Sequence, residues 1–397
     1  MEPTTARRPL DGIRVLDVST VIAAPLAAMI LGDLGAEVVK IEHPRDGDPA
    51  RHHGYAKDGV PLWWLMLGRN KKSVTLYLGD PEGQELFRGL AATADVIVEN
   101  FRPGTMEAWG LGYEVLAADN PGLVFARVSG FGRTGPLFRE PGFGTMGETM
   151  SGFAFRNGDP AGEPYLPPFG LADGVTGIAT ALGVLSALYE RRDSGRGQQV
   201  DLSIIEPLLT ILEPQLVTRD QLGVTLGRTG NQAEMNAPRG MYRTKDEAWV
   251  ALSASTASTA GNVVRLMGAP GLADEPWFAH ANQRRAHAAD LDAVIVPWFA
   301  ARTAGTAVAE CRAAGVPVAP VHTAEDILAD PQYAAIGAIG SYEHSQLGTV
   351  RMPDALFRLS RTPAGVRWLG PELGAHTEEV LDLDPERLAR LRERGVL

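Results

Sequence analysis

The sequence predicts an α/β protein, with a doubly wound parallel sheet in its first 200 residues and a smaller α/β domain after it. Two observations carry this. Short β-branched runs alternate with alanine- and leucine-rich stretches of helical length, the pattern of strands joined by right-handed crossover helices. After Gly223 the texture changes: Thr225 to Arg239 is rich in Gly, Asn, Arg and Pro and reads as a linker or an active-site loop.

Taken in order, Ile13 to Val18 reads as the first strand and ends in Ser19-Thr20. Val21 to Leu34 reads as a helix that stops at Gly35, and Glu37 to Ile41 as the second strand. Ser73 to Leu78 reads as a strand, Pro81 to Ala92 as a helix capped by Asp80, and Asp95 to Val98 and Leu123 to Phe131 as further strands. Val175 to Arg192 is a long apolar helix whose Gly177, Ala179, Ala181, Gly183, Ser186 and Ala187 permit close packing. Gln199 to Ile204 reads as a strand and Glu206 to Leu222 as a helix. In the second half, Met241 to Arg243 and Trp249 to Leu252 form a hairpin, 256–315 is helical, and 317–322 is a strand. The last part, 331–397, holds a hairpin region and a final helix from Glu386 to Arg394. The domain boundaries expected are therefore 1–224, 225–330 and 331–397, the last returning to the large domain.

Composition narrows the function classes. The 397 residues are 45% apolar and 21% charged, as in ordinary globular proteins, and suffice for two domains. No window holds eighteen uninterrupted apolar residues, so no transmembrane helix is expected, and MEPTTARRPLDG lacks the apolar core of a secretory signal. The single Cys311 excludes an internal disulfide framework and all-cysteine zinc sites, and a reducing cytoplasm is expected. A net charge of −11 argues against wholesale nucleic-acid binding but leaves room for a local basic pocket. No glycine follows the first strand, so the dinucleotide phosphate loop is absent, and GxxxxGK[ST], HExxH and GxSxG are absent too.

Asp173 is the most informative carboxylate. It stands in PPFGLADG just before the small-residue helix. An aspartate there reads either as an N-cap or as a desolvated nucleophile kept ionised by helix N–H groups and able to attack an acyl carbon. Asn100-Phe101-Arg102-Pro103-Gly104 follows a strand where parallel sheets place ligands, and also reads as a turn closed by Asn and Pro-Gly. Arg69, Lys71 and Lys72 offer charges to a phosphate-rich ligand or form a solvated basic patch, and His43 and Arg45 admit both readings. His52-His53 lacks a carboxylate or cysteine at ligand spacing, so no metal site is expected. Cys311, in an alanine-rich helix, reads as a core residue.

The chain resembles the family III coenzyme A transferases along nearly its whole length. The segments that carry the resemblance are LDGIRVLDVSTVIAAPLAAMILGDLGAEVVKIEHPRDGDPAR, GRNKKSVTLYL, ADVIVENFRPGTMEAWGLGYE, ADGVTGIATALGVLSALYERRDSGRGQQVDLSI and LGAHTEEVL, in that order and spacing. The resemblance implies a Rossmann-like large domain built from both ends of the chain, a small domain near 225–330, and an interlocked homodimer. It implies that Asp173 is the catalytic residue and that CoA moves from an acyl-CoA donor to a free carboxylic acid through an aspartyl anhydride and an aspartyl-CoA thioester. Similar acyl-transfer potentials let one carboxylate shuttle the group without ATP or metal, with Gly170, Gly174 and nearby N–H groups as candidate oxyanion donors.

The family's CoA contacts carry over to Val21 and Ala23 by backbone, to Lys71 and Lys72 near the phosphates, and to Asn100 and Phe101 at the nucleotide end. Ala108 stands where several relatives have arginine, which leaves Arg102 to supply that charge, and His43 stands where some have arginine. The same superfamily contains α-methylacyl-CoA racemases, which need a histidine in the loop Pro141-Gly142-Phe143-Gly144. Phe143 stands there instead, so racemisation is the alternative enzyme reading, and a non-catalytic acyl-CoA-binding protein is the alternative of another class. Gly144 stands where many transferases carry an acid.

Overall fold

A computed structural model describes residues 7–397. The described chain divides into two compact units, one of residues 7–154, 166–215 and 332–397 and one of residues 155–165 and 216–331. The short stretch 155–165 thus belongs with the second unit, a membership its sequence does not announce.

The first unit is built on a six-stranded sheet: β1 (Arg14–Asp17), β2 (Glu37–Glu42), β3 (Lys71–Thr75), β4 (Val96–Glu99), β5 (Val124–Ser129) and β6 (Gln199–Ser203). Their spatial order is β3-β2-β1-β4-β5-β6, and every adjacent pair is parallel. This is the doubly wound order of dinucleotide-binding folds, whose strand order reverses between β1 and β4. Strands covered on both faces read as continuous apolar runs, as Val15, Leu16, Val96, Ile97, Val98, Val124 and Phe125 do, each fully buried.

Three helices shape the site: α1 (Ala23–Asp33), α2 (Gly144–Met150) and α3 (Leu171–Ser194). Ala23, Ala24, Ala27 and Ala28 of α1 and Ala172, Ala181, Val184 and Ala187 of α3 share one core with the strands. Gly177 marks how closely the two helices meet, because a Cβ there would lie 2.7 Å from the Ala23 carbonyl and 2.9 Å from Leu26 Cβ. Helix α3 starts four residues earlier than its apolar run indicates, so Asp173 lies inside its first turn. By length and composition α3 is apolar enough to cross a membrane, although it has no uninterrupted run of that length; 44% of its most apolar window is buried within the chain. Ile178, Leu182 and Tyr189 on its other face are exposed. The helix expected from Glu206 to Leu222 is two, Glu206–Ile211 and Gln215–Leu222, on either side of Pro214.

The second unit has a three-stranded antiparallel sheet in the order Val318–Pro320, Trp249–Ser253, Arg239–Arg243. Helices cover it around Val250, Leu252, Ile295, Phe299 and the buried Cys311.

Candidate active site

Loops after β1, β4, β5 and β6 border a cavity of about 870 Å³ at the point where strand order reverses. In open parallel sheets this crevice is the ligand position. Its wall includes Thr20 to Ala23 after β1, Asn100 to Pro103 after β4, Gly142 to Thr145 entering α2, and Pro167 to Gly170 leading to Asp173.

Asp173 occupies the third position of α3, behind an N-cap, Gly170, that makes no side-chain cap bond. The N-cap reading therefore falls: the carboxylate faces the cavity rather than the helix end. It is squeezed between two glycines. A Cβ at Gly144 would stand 2.2 Å from Asp173 Oδ2, and one at Gly170 would stand 2.8 Å away, so both positions must lack a side chain for the carboxylate to sit there. Burial, and then the nearby Glu148 carboxylate, push the Asp173 pKa up to about 6. The helix N–H groups expected to favour its ionised form do not outweigh those two effects. Gly174 is not a free oxyanion donor, since its N–H is bonded to the Gly170 carbonyl at 3.0 Å.

Glu148 is a cavity residue that sequence reasoning missed. It is 3% exposed, lines the cavity from α2, and accepts the Ala172 N–H at 3.3 Å. The signal available was a lone acid one helical turn after Gly144, in the otherwise uncharged run FGTMGETMSG.

Of the residues expected to contact CoA, Val21, Ala23, Asn100, Phe101 and Arg102 line the cavity. Asn100 works as a clamp, for its amide group accepts the Thr20 N–H and donates to the Thr20 carbonyl, both at 2.8 Å. Val21 has φ +72°, a left-handed conformation that strains a β-branched residue by about 1–3 kcal/mol. Its N–H donates to Asp48 Oδ1 at 3.0 Å. Arg102 is exposed beside the cavity. Phe143, where racemisation would require an imidazole, lines the cavity and is 65% exposed.

The remaining candidates lie elsewhere. Lys71 is fully buried in β3, where its ammonium meets Asp17 Oδ2 and the Pro25 carbonyl, each at 2.8 Å. A lysine inside a strand covered on both faces cannot reach a phosphate in solvent. Lys72 pairs with Glu37 at 2.8 Å and Glu379 at 2.9 Å, and Arg69 is buried against Asp33 at 2.6 Å. None of the three lines the cavity. His43 is exposed after β2, packed edge-on against Tyr77 with ring centroids 5.0 Å apart, and also stands outside the cavity wall. His53 does line the cavity, whereas His52 borders a separate one of about 500 Å³. Among the described residues no group of three or more His, Cys, Asp or Glu side chains gathers to hold a metal ion.

Comparison with known proteins fits this geometry. The model of CoA-transferase family III matches residues 10–377, and the chain belongs to that family. It is 40% identical over 395 residues to the succinyl-CoA–D-citramalate CoA-transferase of Chloroflexus aurantiacus, covering 98% of each chain. It is 39% identical over 405 residues to the beta subunit of succinyl-CoA–L-malate CoA-transferase from the same organism, covering 100% of each. A CaiB/BaiF family protein from Brucella suis has the same fold, with a TM-score of 0.81 at 30% identity over 94% of this chain and 98% of that one.

Proposed function

We propose that the cavity receives the thioester end of an acyl-CoA and that Asp173 passes the acyl group and then the CoA to a free carboxylic acid. The observation that carries this is the Asp173 carboxylate, seated between Gly144 and Gly170 in the wall of a cavity at the sheet's reversal point. An Asp173 oxygen attacks the thioester carbon, the C–S bond breaks, and an aspartyl anhydride and CoA thiolate form. The thiolate attacks the aspartyl carbonyl, which releases the donor's acid and leaves an aspartyl-CoA thioester. The acceptor carboxylate then displaces the thiolate, giving a second anhydride. Thiolate attack on the acceptor's acyl carbon yields the new acyl-CoA and regenerates Asp173. No bond is hydrolysed, so the half-buried setting of the carboxylate serves the chemistry by limiting water.

Both Chloroflexus relatives are named for succinyl-CoA as donor and for a hydroxy dicarboxylic acid as acceptor. Succinyl-CoA and a short hydroxy diacid are accordingly the substrates proposed here. Phe143 disfavours racemisation, since a phenyl ring moves no proton. An interlocked homodimer is proposed as the working form, supported by the exposed Ile178, Leu182 and Tyr189 face of α3. The test is incubation of succinyl-CoA with a panel of free acids, read by mass spectrometry for new thioesters. Asp173→Ala is expected to abolish them without unfolding the protein. Retained exchange in that variant would remove Asp173 from the mechanism, and solvent deuterium entering the acyl α-position without an acceptor would favour the racemase reading.

A further inference from the structure

Resting on the reading that this cavity holds an acyl-CoA, we propose that Asp48 is a positioning residue that holds Val21 in its left-handed conformation and so shapes the wall against which CoA lies. Asp48 is 2% exposed and touches three parts of the fold at once. Its Oδ1 accepts the Val21 N–H at 3.0 Å and the Ala50 N–H at 2.8 Å. Its Oδ2 is ion-paired with the Lys40 ammonium of β2 at 3.0 Å, and its own N–H donates to Glu42 Oε2 at 3.0 Å. One carboxylate thus ties the loop after β1 to the segment Pro49–His52, which leads to His53 in the same cavity wall.

Val21 is what makes this tie consequential. Among the described residues, six other than glycine have positive φ, and Val21 is the one that is β-branched and the one in the cavity wall. The preceding residue cannot relieve the strain, because Asn100 grips both the N–H and the carbonyl of Thr20. Ser19 is equally fixed, with its hydroxyl on Asp17 Oδ1 at 2.5 Å and its carbonyl accepting from Lys40. The loop is therefore held rigid on one side and bent at Val21, and the Asp48 bond to the Val21 amide is what opposes relaxation to negative φ. The groups around Asp48 alternate in sign, with Arg51 on Glu42 at 2.7 Å, Lys40 between Asp48 and Asp17, and Lys71 on Asp17. Loss of Asp48 also leaves Lys40 short of a counter-charge, a structural effect that any test must separate from the effect on Val21.

A double-mutant cycle separates them, because glycine adopts positive φ without strain. Asp48→Ala is expected to weaken CoA binding, measured by titration calorimetry, by about tenfold or more in the parent chain, the scale that a strained residue released from its restraint implies. Made together with Val21→Gly, the same change is expected to weaken binding by less than about threefold relative to Val21→Gly alone. Equal factors in the two backgrounds overturn the proposal. Asp48→Asn, which keeps the shape and removes the charge, is run beside it and is expected to give the same order with smaller factors. Amide exchange of the segment 18–24 is read in parallel and needs no CoA: it is expected to quicken in Asp48→Ala, and unchanged exchange overturns the proposal. If the parent chain binds no CoA, the functional reading fails, while the exchange measurement still decides what Asp48 does.

Discussion

A carboxylate that attacks an acyl carbon must be ionised, and Asp173 gives up its proton only near pH 6, because burial and Glu148 favour the protonated form. The acid limb of transfer is therefore expected to have its midpoint near pH 6. Glu148→Gln removes the like charge and is expected to move that midpoint downward in a pH profile of kcat/KM. A midpoint that stays in place would mean that Glu148 acts only through its bond to Ala172. The same burial bears on stability. The folded-state pKa lies above the ordinary value of 3.8, so the favourable contribution of the protonated carboxyl is complete below about pH 4 and is lost as pH rises through about 6. At pH 8 the ionised side chain destabilises the fold by about 1–3 kcal/mol. Asp173→Asn is expected to abolish transfer while unfolding at higher denaturant than the parent at pH 8, with the difference vanishing near pH 4. A variant less stable than the parent at pH 8 would contradict this.

At the scale of elements, the contact of α1 with α3 sets where the Asp173 carboxylate stands, because Asp173 lies one turn before the tight contact at Gly177. Gly177→Ala pushes a methyl into the Ala23 carbonyl and Leu26, and is expected to destabilise the fold by about 1–3 kcal/mol in chemical denaturation. A neutral result would show that the helices can separate without penalty. Elements are also where sequence reading succeeds and fails most clearly. Alternating β-branched and alanine-rich runs expose the central strands and α1 without tertiary information, since these are buried almost throughout and their composition reports that directly. Lys71 shows the limit. Its position beside Lys72 looks like a basic patch, and only the pairing of Lys71 with Val38 across the sheet shows that it is interior. The acid that compensates it, Asp17, is 54 residues away. The start of α3 escapes the sequence pattern for a related reason: Leu171, Ala172 and Asp173 have no helical period of their own, and it is in the fold that Ala172 is packed into the core.

At the scale of the whole molecule, the stripe of Ile178, Leu182 and Tyr189 on α3 is apolar surface that the single chain leaves without cover. If a second copy covers it, sedimentation should find a dimer at micromolar concentration, and Leu182→Glu should shift the chain toward monomer. A monomeric parent would remove the interlocked dimer from the proposal. The sequence by itself determined the α/β class, the alternation of strands and helices, the family, and the candidacy of Asp173, because each depends on residue type and order along the chain. Tertiary structure alone decided that Asp173 lies within a helix between two glycines, that Glu148 raises its pKa, that Asn100 and Asp48 bond to the loop after β1, and that Lys71 serves the core. Those facts depend on which groups from distant segments meet, and burial then sets both the charge a side chain can carry and what it is free to touch.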